Sequence, residues 1–340
     1  MTSFRKHTFL FALTALLLST LACRAATDIF SPEDESATSV PVPTEVISIP
    51  TTVVEGQTCP VLLSDIIDAA AQEGSDTEAQ DEQYIVTYTV DGDQISDPQY
   101  ESVSSDLQDE QEDTASQEFV WSYFTSLIPE EQRGFITEYD VTTDGVDNTL
   151  AAVTQTQNDP NNWALEVDIL DIKDTRNLTF TLIHEFGHLL TLNPDQVPPS
   201  IEVFNNPDDE SVLESEVAAC PQYFPGEGCS TSSSYINAFY NRFWPDIHDE
   251  WSAISDETDE EARYELLDNF YSSYQDQFVT SYAVTTPEED IAESWTYFVL
   301  TSKPQGDTIA DQKVLFFYEY PELVELRGTI LSNICESFPK

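Results

Sequence analysis

One run constrains the fold of this chain more than any other: Thr181-Leu182-Ile183-His184-Glu185-Phe186-Gly187-His188-Leu189-Leu190. Leu178, Leu182, Ile183, Phe186, Leu189 and Leu190 recur at helical intervals, which predicts an apolar helix over about 177–192, stopped by Asn193-Pro194. Such a helix must be packed on most sides, and imidazoles buried within it need partners for their ring nitrogens. His184 and His188 stand four residues apart, on one face, where both can reach the same metal ion. Glu185 sits between them in sequence, within reach of a water on that ion. Zinc suits two neutral imidazoles. The bland alternative is a buried helix with incidental histidines, yet this run uses two of only four in the chain.

A zinc site of this kind needs a third protein ligand and an open position. No histidine lies between Asn193 and Ile201, so the ligand must come from farther along. Tyr282-Ala283-Val284-Thr285-Thr286-Pro287-Glu288-Glu289-Asp290-Ile291-Ala292-Glu293-Ser294-Trp295 is the best segment. Pro287 suits the first position of a helix, and Ile291, Trp295, Phe298 and Val299 make its buried stripe. Glu289 and Glu293 share one face, so one can ligate zinc while the other accepts the spare N–H of a ligating histidine. Spacing alone leaves open which does which. Thr286-x-x-Glu289 also fits a capping box, which would use the Glu289 side chain structurally.

With both motifs in view, the chain resembles the gluzincin metallopeptidases, the thermolysin-like and anthrax-lethal-factor-like group. The resemblance covers about 177–193 and 282–300. It implies a zincin-like α+β fold, Glu289 as third zinc ligand, and Glu293 as support for His184. It also implies peptide hydrolysis with Glu185 as general base, and Tyr282 matches a tyrosine that faces the zinc in lethal-factor-like members. The gap between the two motifs is longer here than in lethal factor. Tyr282 also reads as a core tyrosine at a helix end. His248, in Trp244-Pro245-Asp246-Ile247-His248-Asp249-Glu250-Trp251, is an alternative oxyanion donor, though among acids it reads as a solvated surface histidine. The strand over 163–169 precedes the helix where zincins often carry a substrate-binding edge strand.

The rest of the chain sets compartment and organisation. Arg5 and Lys6 precede an apolar run from Phe9 to Ala22, too short to span a bilayer comfortably, which reads as an export signal over 1–22. Ser19-Thr20-Leu21-Ala22-Cys23 resembles a relaxed bacterial lipobox, with Thr20 where Leu is commonest. This predicts a lipidated Cys23 and an extracytoplasmic protein anchored to a bacterial membrane; ordinary cleavage near Ala26 is the alternative. Removing 1–22 leaves 10 basic against 64 acidic side chains, a formal charge of −54, which argues against nucleic acid as a partner. Residues 23–57 mix Ser, Thr, Pro and acids and read as a disordered stalk.

From 58 to 340 the pattern is that of a folded α+β domain, with a small sheet before the zinc helix and a mostly helical C-terminal lobe. Helical spacing is expected over 61–70 and 119–127, strands over 84–90, 135–141 and 163–170, and an acidic loop over 97–117. After a loop-rich stretch at 193–235, helical patterns return at 235–252, 260–282, 288–300 and 316–332. Four cysteines follow Cys23, an even count that suggests disulfides in an exported chain. Cys220 and Cys229 flank a short Pro- and Gly-containing loop and are expected to pair, leaving Cys59 for Cys335.

Taken together, these features predict an exported zinc peptidase acting on a peptide or protein substrate. Two alternatives stay open: a non-catalytic lipoprotein binding module with a structural metal, and a zinc hydrolase acting on a non-peptide bond.

Overall fold

A computed structural model describes residues 59–70, 81–146 and 149–338. The export signal, Cys23 and the stalk lie outside the described residues. The protein is mixed α+β, with a five-stranded sheet and a mostly helical remainder. In chain order the elements are α1 (Pro60–Ala70), β1 (Gln83–Asp91), β2 (Gln94–Tyr100), α2 (Gln108–Glu112), α3 (Thr114–Leu127), β3 (Ile136–Thr143), β4 (Ala151–Gln155) and β5 (Trp163–Asp168). Then come α4 (Thr175–Leu192), α5 (Ile201–Asn205), α6 (Glu210–Ala219), α7 (Tyr235–Phe243), α8 (His248–Ser255), α9 (Glu260–Ser273), α10 (Pro287–Leu300), α11 (Ile309–Phe317) and α12 (Pro321–Ser337).

The strands lie in the order β2-β1-β3-β5-β4. β1 and β2 form a hairpin over the two-residue turn Gly92-Asp93, where Gly92 takes φ +61°. β3 runs antiparallel to β1 but parallel to β5, and β4 closes the far side antiparallel to β5. The sequence expectation for 163–169 as an edge strand is therefore corrected: every residue of β5 is buried, and β4 is the edge. A strand buried on both faces usually reads as a continuous apolar run, but the buried acids Glu166 and Asp168 make β5 alternate like a half-buried strand, so it gave no sign of being interior.

Helix boundaries differ from the periodicity in physically simple ways. The expected helix at 235–252 is two helices, because Pro245 has no N–H to continue the ladder of α7. That at 316–332 is likewise split, with Pro321 opening α12. The helix expected to 282 stops at Ser273. The acidic stretch at 97–117 holds the end of β2, α2 and the start of α3, capped by Asp113, whose side chain accepts from the Ser116 N–H. The loop-rich 193–235 carries α5 and α6 on Ser200 and Asp209 caps.

One continuous apolar core runs from Ile66 to Ile334 and takes in every Leu and Ile of α4 and Phe186. α4 begins on an Asp174 cap and ends where Asn193 donates to the Leu189 carbonyl. α1, β4 and α10 pack on it. Cys59 is bonded to Cys335, tying the start of α1 to α12, and Cys220 to Cys229 after α6. No helix among the described residues is long and apolar enough to cross a membrane.

Candidate metal centre

The site forms where α4 crosses α10. Gly187, between the two histidines, permits the crossing: a Cβ there would lie 3.0 Å from Trp295 Cδ1 and 3.1 Å from Ala292 Cα. Ala292 in turn lies between Glu289 and Glu293 along α10. Small residues at both contact points bring one face of each helix together.

The faces carry three converging ligand atoms. His184 Nε2 lies 3.1 Å from His188 Nε2 and 3.0 Å from Glu289 Oε2, and His188 Nε2 lies 3.3 Å from Glu289 Oε2. On the other side of its ring, His184 Nδ1 is 2.9 Å from Glu293 Oε1. A carboxylate only accepts, so Nδ1 carries the proton and donates, which leaves a lone pair on Nε2 aimed at the other two atoms. Three lone-pair donors facing one another are stable only around a cation or with protons added between them. A tetrahedral ion with ligands at about 2.0–2.1 Å would set them about 3.3 Å apart, close to the triangle observed. Among the described residues, His184, His188 and Glu289 are the one group of such side chains so arranged. They fit a divalent metal, and the two nitrogens with one carboxylate fit zinc.

The charge distribution follows from the same contacts. Burial pushes the His184 and His188 pKa values down, but Glu289 and, for His184, Glu293 outweigh it and raise both above 6.5. Burial raises the carboxyl of Glu289, and the charges of the histidines overcome this to hold it well below the ordinary 4.5. Glu185 is 6% exposed, and burial pushes it up to about 7 despite the two histidines beside it. The Val153 N–H of edge strand β4 reaches its carboxylate.

Each expected site residue can now be placed. His184, His188, Glu289 and Glu293 come together, with Glu289 on the metal side and Glu293 behind His184. Thr286 does cap α10 by accepting the Glu289 N–H at 3.0 Å, but the Glu289 carboxylate is turned to the histidines. Tyr282 sits on a 3₁₀ turn, Tyr282–Val284, with its ring 5.9 Å from that of His184. The ring is half exposed, and the charge of Glu289 holds its hydroxyl well above the usual tyrosine range. His248 instead packs against Tyr240 and Trp251, at 5.5 and 5.6 Å between centroids, where burial lowers its pKa. The surface-histidine reading of His248 is corrected to a half-buried ring in an aromatic cluster, and it takes no part in the metal group.

Several residues of the site escaped the sequence reading. Thr280 donates to Glu293 Oε2 at 2.6 Å. Asp290, next to Glu289, is wholly buried with Lys313: Nζ lies 2.6 Å from Asp290 Oδ2, and the Trp244 indole N–H donates to the same oxygen. The Lys313 ammonium also lies 3.9 Å from the centre of the Phe278 ring. The Cys220–Cys229 loop brings Tyr223 to Glu288, 2.6 Å from hydroxyl to Oε1, and stacks it on Tyr240. Gly228 in that loop admits no side chain, since a Cβ would meet the Pro198 carbonyl oxygen at 2.1 Å. Glu227, its neighbour, is pushed up to about 8 by burial and by Glu288, and lies near enough to His188 to feel its charge. No spacing rule joins Thr280 or Lys313 to the motifs; the acid next to Glu289 was visible, its partner was not.

Comparison with protein-family models, with curated proteins and with solved structures finds no match. The functional reading therefore rests on the geometry of the site.

Proposed function

We propose that this protein is a zinc-dependent peptidase of the gluzincin type, with a zincin-like fold. The observation that carries the reading is the triangle of His184 Nε2, His188 Nε2 and Glu289 Oε2, with sides of 3.0–3.3 Å, beside a buried Glu185. The mixed sheet with an antiparallel edge strand against the metal helix supports the fold assignment.

Zinc, when bound, supplies a Lewis acid for a substrate carbonyl and makes a water molecule more acidic. His184, His188 and Glu289 would hold the ion, and Glu293 fixes the His184 tautomer by accepting a hydrogen bond from its Nδ1–H. Glu185, with a carboxyl near neutrality, takes the proton of the attacking water and passes it to the leaving amine. The Tyr282 hydroxyl, protonated at neutral pH like any tyrosine and presented beside His184, donates a hydrogen bond to the developing oxyanion. The free side of β4 offers backbone groups for an extended peptide, next to Val153 and hence to Glu185. A purely structural metal would need no general base at Glu185, whose carboxylate is partnered by the Val153 N–H of β4.

An exported protein held by a lipid at Cys23 agrees with the two disulfides, which belong to oxidising compartments. The test of the catalytic reading pairs metal analysis with turnover of a quenched-fluorescent peptide library. Wild type is expected to hold one zinc and cleave; Glu185→Gln is expected to hold zinc and lose about 10²–10⁴ in rate. Equal rates at matched zinc occupancy would refute the role of Glu185.

A further inference from the structure

Glu293 is 3% exposed and its carboxylate has one donor on each oxygen: His184 Nδ1 at 2.9 Å on Oε1 and Thr280 Oγ1 at 2.6 Å on Oε2. Thr280 has a single hydroxyl hydrogen, and Glu293 is the acceptor that takes it. The hydroxyl oxygen then accepts the Ala283 N–H at 3.2 Å, inside the turn that presents Tyr282. Every bond in the chain Ala283 N–H, Thr280 O–H, Glu293, His184 therefore has a defined direction. With both oxygens engaged, the carboxylate has no freedom to rotate, and so neither has the imidazole hydrogen-bonded to it. That imidazole's other nitrogen points at Glu289 and His188.

We propose that Thr280 is a positioning residue for the metal centre, acting through Glu293 to fix the aim of the His184 Nε2 lone pair. This rests on the metal reading of the site. Thr280 precedes Tyr282 by two residues and follows Phe278, whose ring lies under Lys313. The segment is thus held at one end by the Asp290–Lys313 pair and at the other by the Trp251 indole, which donates to the Val284 and Thr285 carbonyls at 3.1 Å. A hydroxyl held at both ends needs no rearrangement to serve Glu293, which is what orienting a ligand's partner requires.

The experiment compares Thr280→Val, Thr280→Ala and Thr280→Ser in the full chain with disulfides intact. Zinc affinity is read by competition with a chromophoric chelator, and ligand geometry by the visible spectrum of the Co²⁺-loaded protein. Thr280→Val keeps the shape and loses the hydroxyl, and it should weaken zinc binding about 10- to 100-fold and shift the Co²⁺ bands. Thr280→Ala should do the same without any demand on the methyl's packing, and Thr280→Ser should restore wild-type affinity and spectrum. Zinc affinity and Co²⁺ bands unchanged in Thr280→Val and Thr280→Ala would overturn the proposal. So would a Thr280→Ser variant as weak as Thr280→Val, since a hydroxyl at this position would then not be enough to support the metal centre. Wild type that takes up no stoichiometric zinc would instead overturn the metal reading itself, and this proposal with it.

Discussion

Gly187→Ala puts one methyl group into the crossing of α4 and α10, and the structure says what it meets. Its Cβ would lie 3.0 Å from Trp295 Cδ1, 3.1 Å from Ala292 Cα and 3.4 Å from Ala292 Cβ. Comfortable carbon contacts are about 3.5–4.0 Å, so the two helices must part by roughly 0.5 Å. Overpacking of this kind costs about 1–3 kcal/mol. Alanine recovers up to about 1 kcal/mol over glycine in a helix interior. The metal-free variant should therefore be roughly 0–2 kcal/mol less stable than wild type.

The metal centre should suffer more than the fold, because its ligands are split between the two parted helices. Metal–ligand distances tolerate only about ±0.2 Å, so a shift of roughly half an ångström takes Glu289 out of range of an ion held by His184 and His188. Zinc affinity should fall at least about tenfold, the lower end of the effect of disturbing a ligand's support. Urea unfolding in chelator measures the first quantity and chelator competition the second. A variant about 1 kcal/mol more stable than wild type, with its zinc affinity intact, would mean that helix propensity is the only effect and that the crossing is not tight.

The remaining expectations are shorter. Lys313→Met strands the buried Asp290 carboxylate and should destabilise by about 3–5 kcal/mol, whereas Asp290→Asn with Lys313→Met should recover most of that; urea unfolding of both variants checks it, and equal losses would refute the pairing. Without metal, the site is held together by charge: raised pKa values at His184 and His188 stabilise fully below 6.5 and stop doing so as pH rises through the raised values, while the lowered Glu289 stabilises above 4.5 and stops as pH falls through its lowered value. Melting of the chelated protein should accordingly be highest in the window between 4.5 and 6.5 and decline toward alkaline pH, and zinc should lessen that decline by the share the histidines contribute, the raised carboxyls of Glu185 and Glu227 supplying the rest. Zinc uptake at neutral pH should release protons, seen as buffer-dependent heats in titration calorimetry, and buffer-independent heats would show that the histidines are already neutral. Cys59→Ser with Cys335→Ser opens a loop of 276 residues and should lower stability by roughly 2–5 kcal/mol in thermal melts, with zinc affinity unchanged.

By itself the sequence determined the local parts. Apolar spacing around His184 and His188 defined α4 and put both imidazoles on one face, because that periodicity is a property of a helix and not of its neighbours. Pro287 and Thr286 marked the start of α10, and its face held Glu289 and Glu293. What spacing left open was which carboxylate does what, since two acids on one helix face are equivalent until a partner breaks the symmetry. The partner is the Gly187–Ala292 crossing: it sets Glu289 beside both Nε2 atoms and Glu293 behind Nδ1 of His184. Strand order was equally out of reach, because β4 and β5 are told apart by what lies on their other side, which places the edge at β4 and not at β5. Thr280, Trp244 and Lys313 enter the site across 13, 46 and 23 positions of sequence from the acids they serve. A hydroxyl, an indole and an ammonium carry no periodicity that could announce such contacts, so only the packed tertiary structure could assign them.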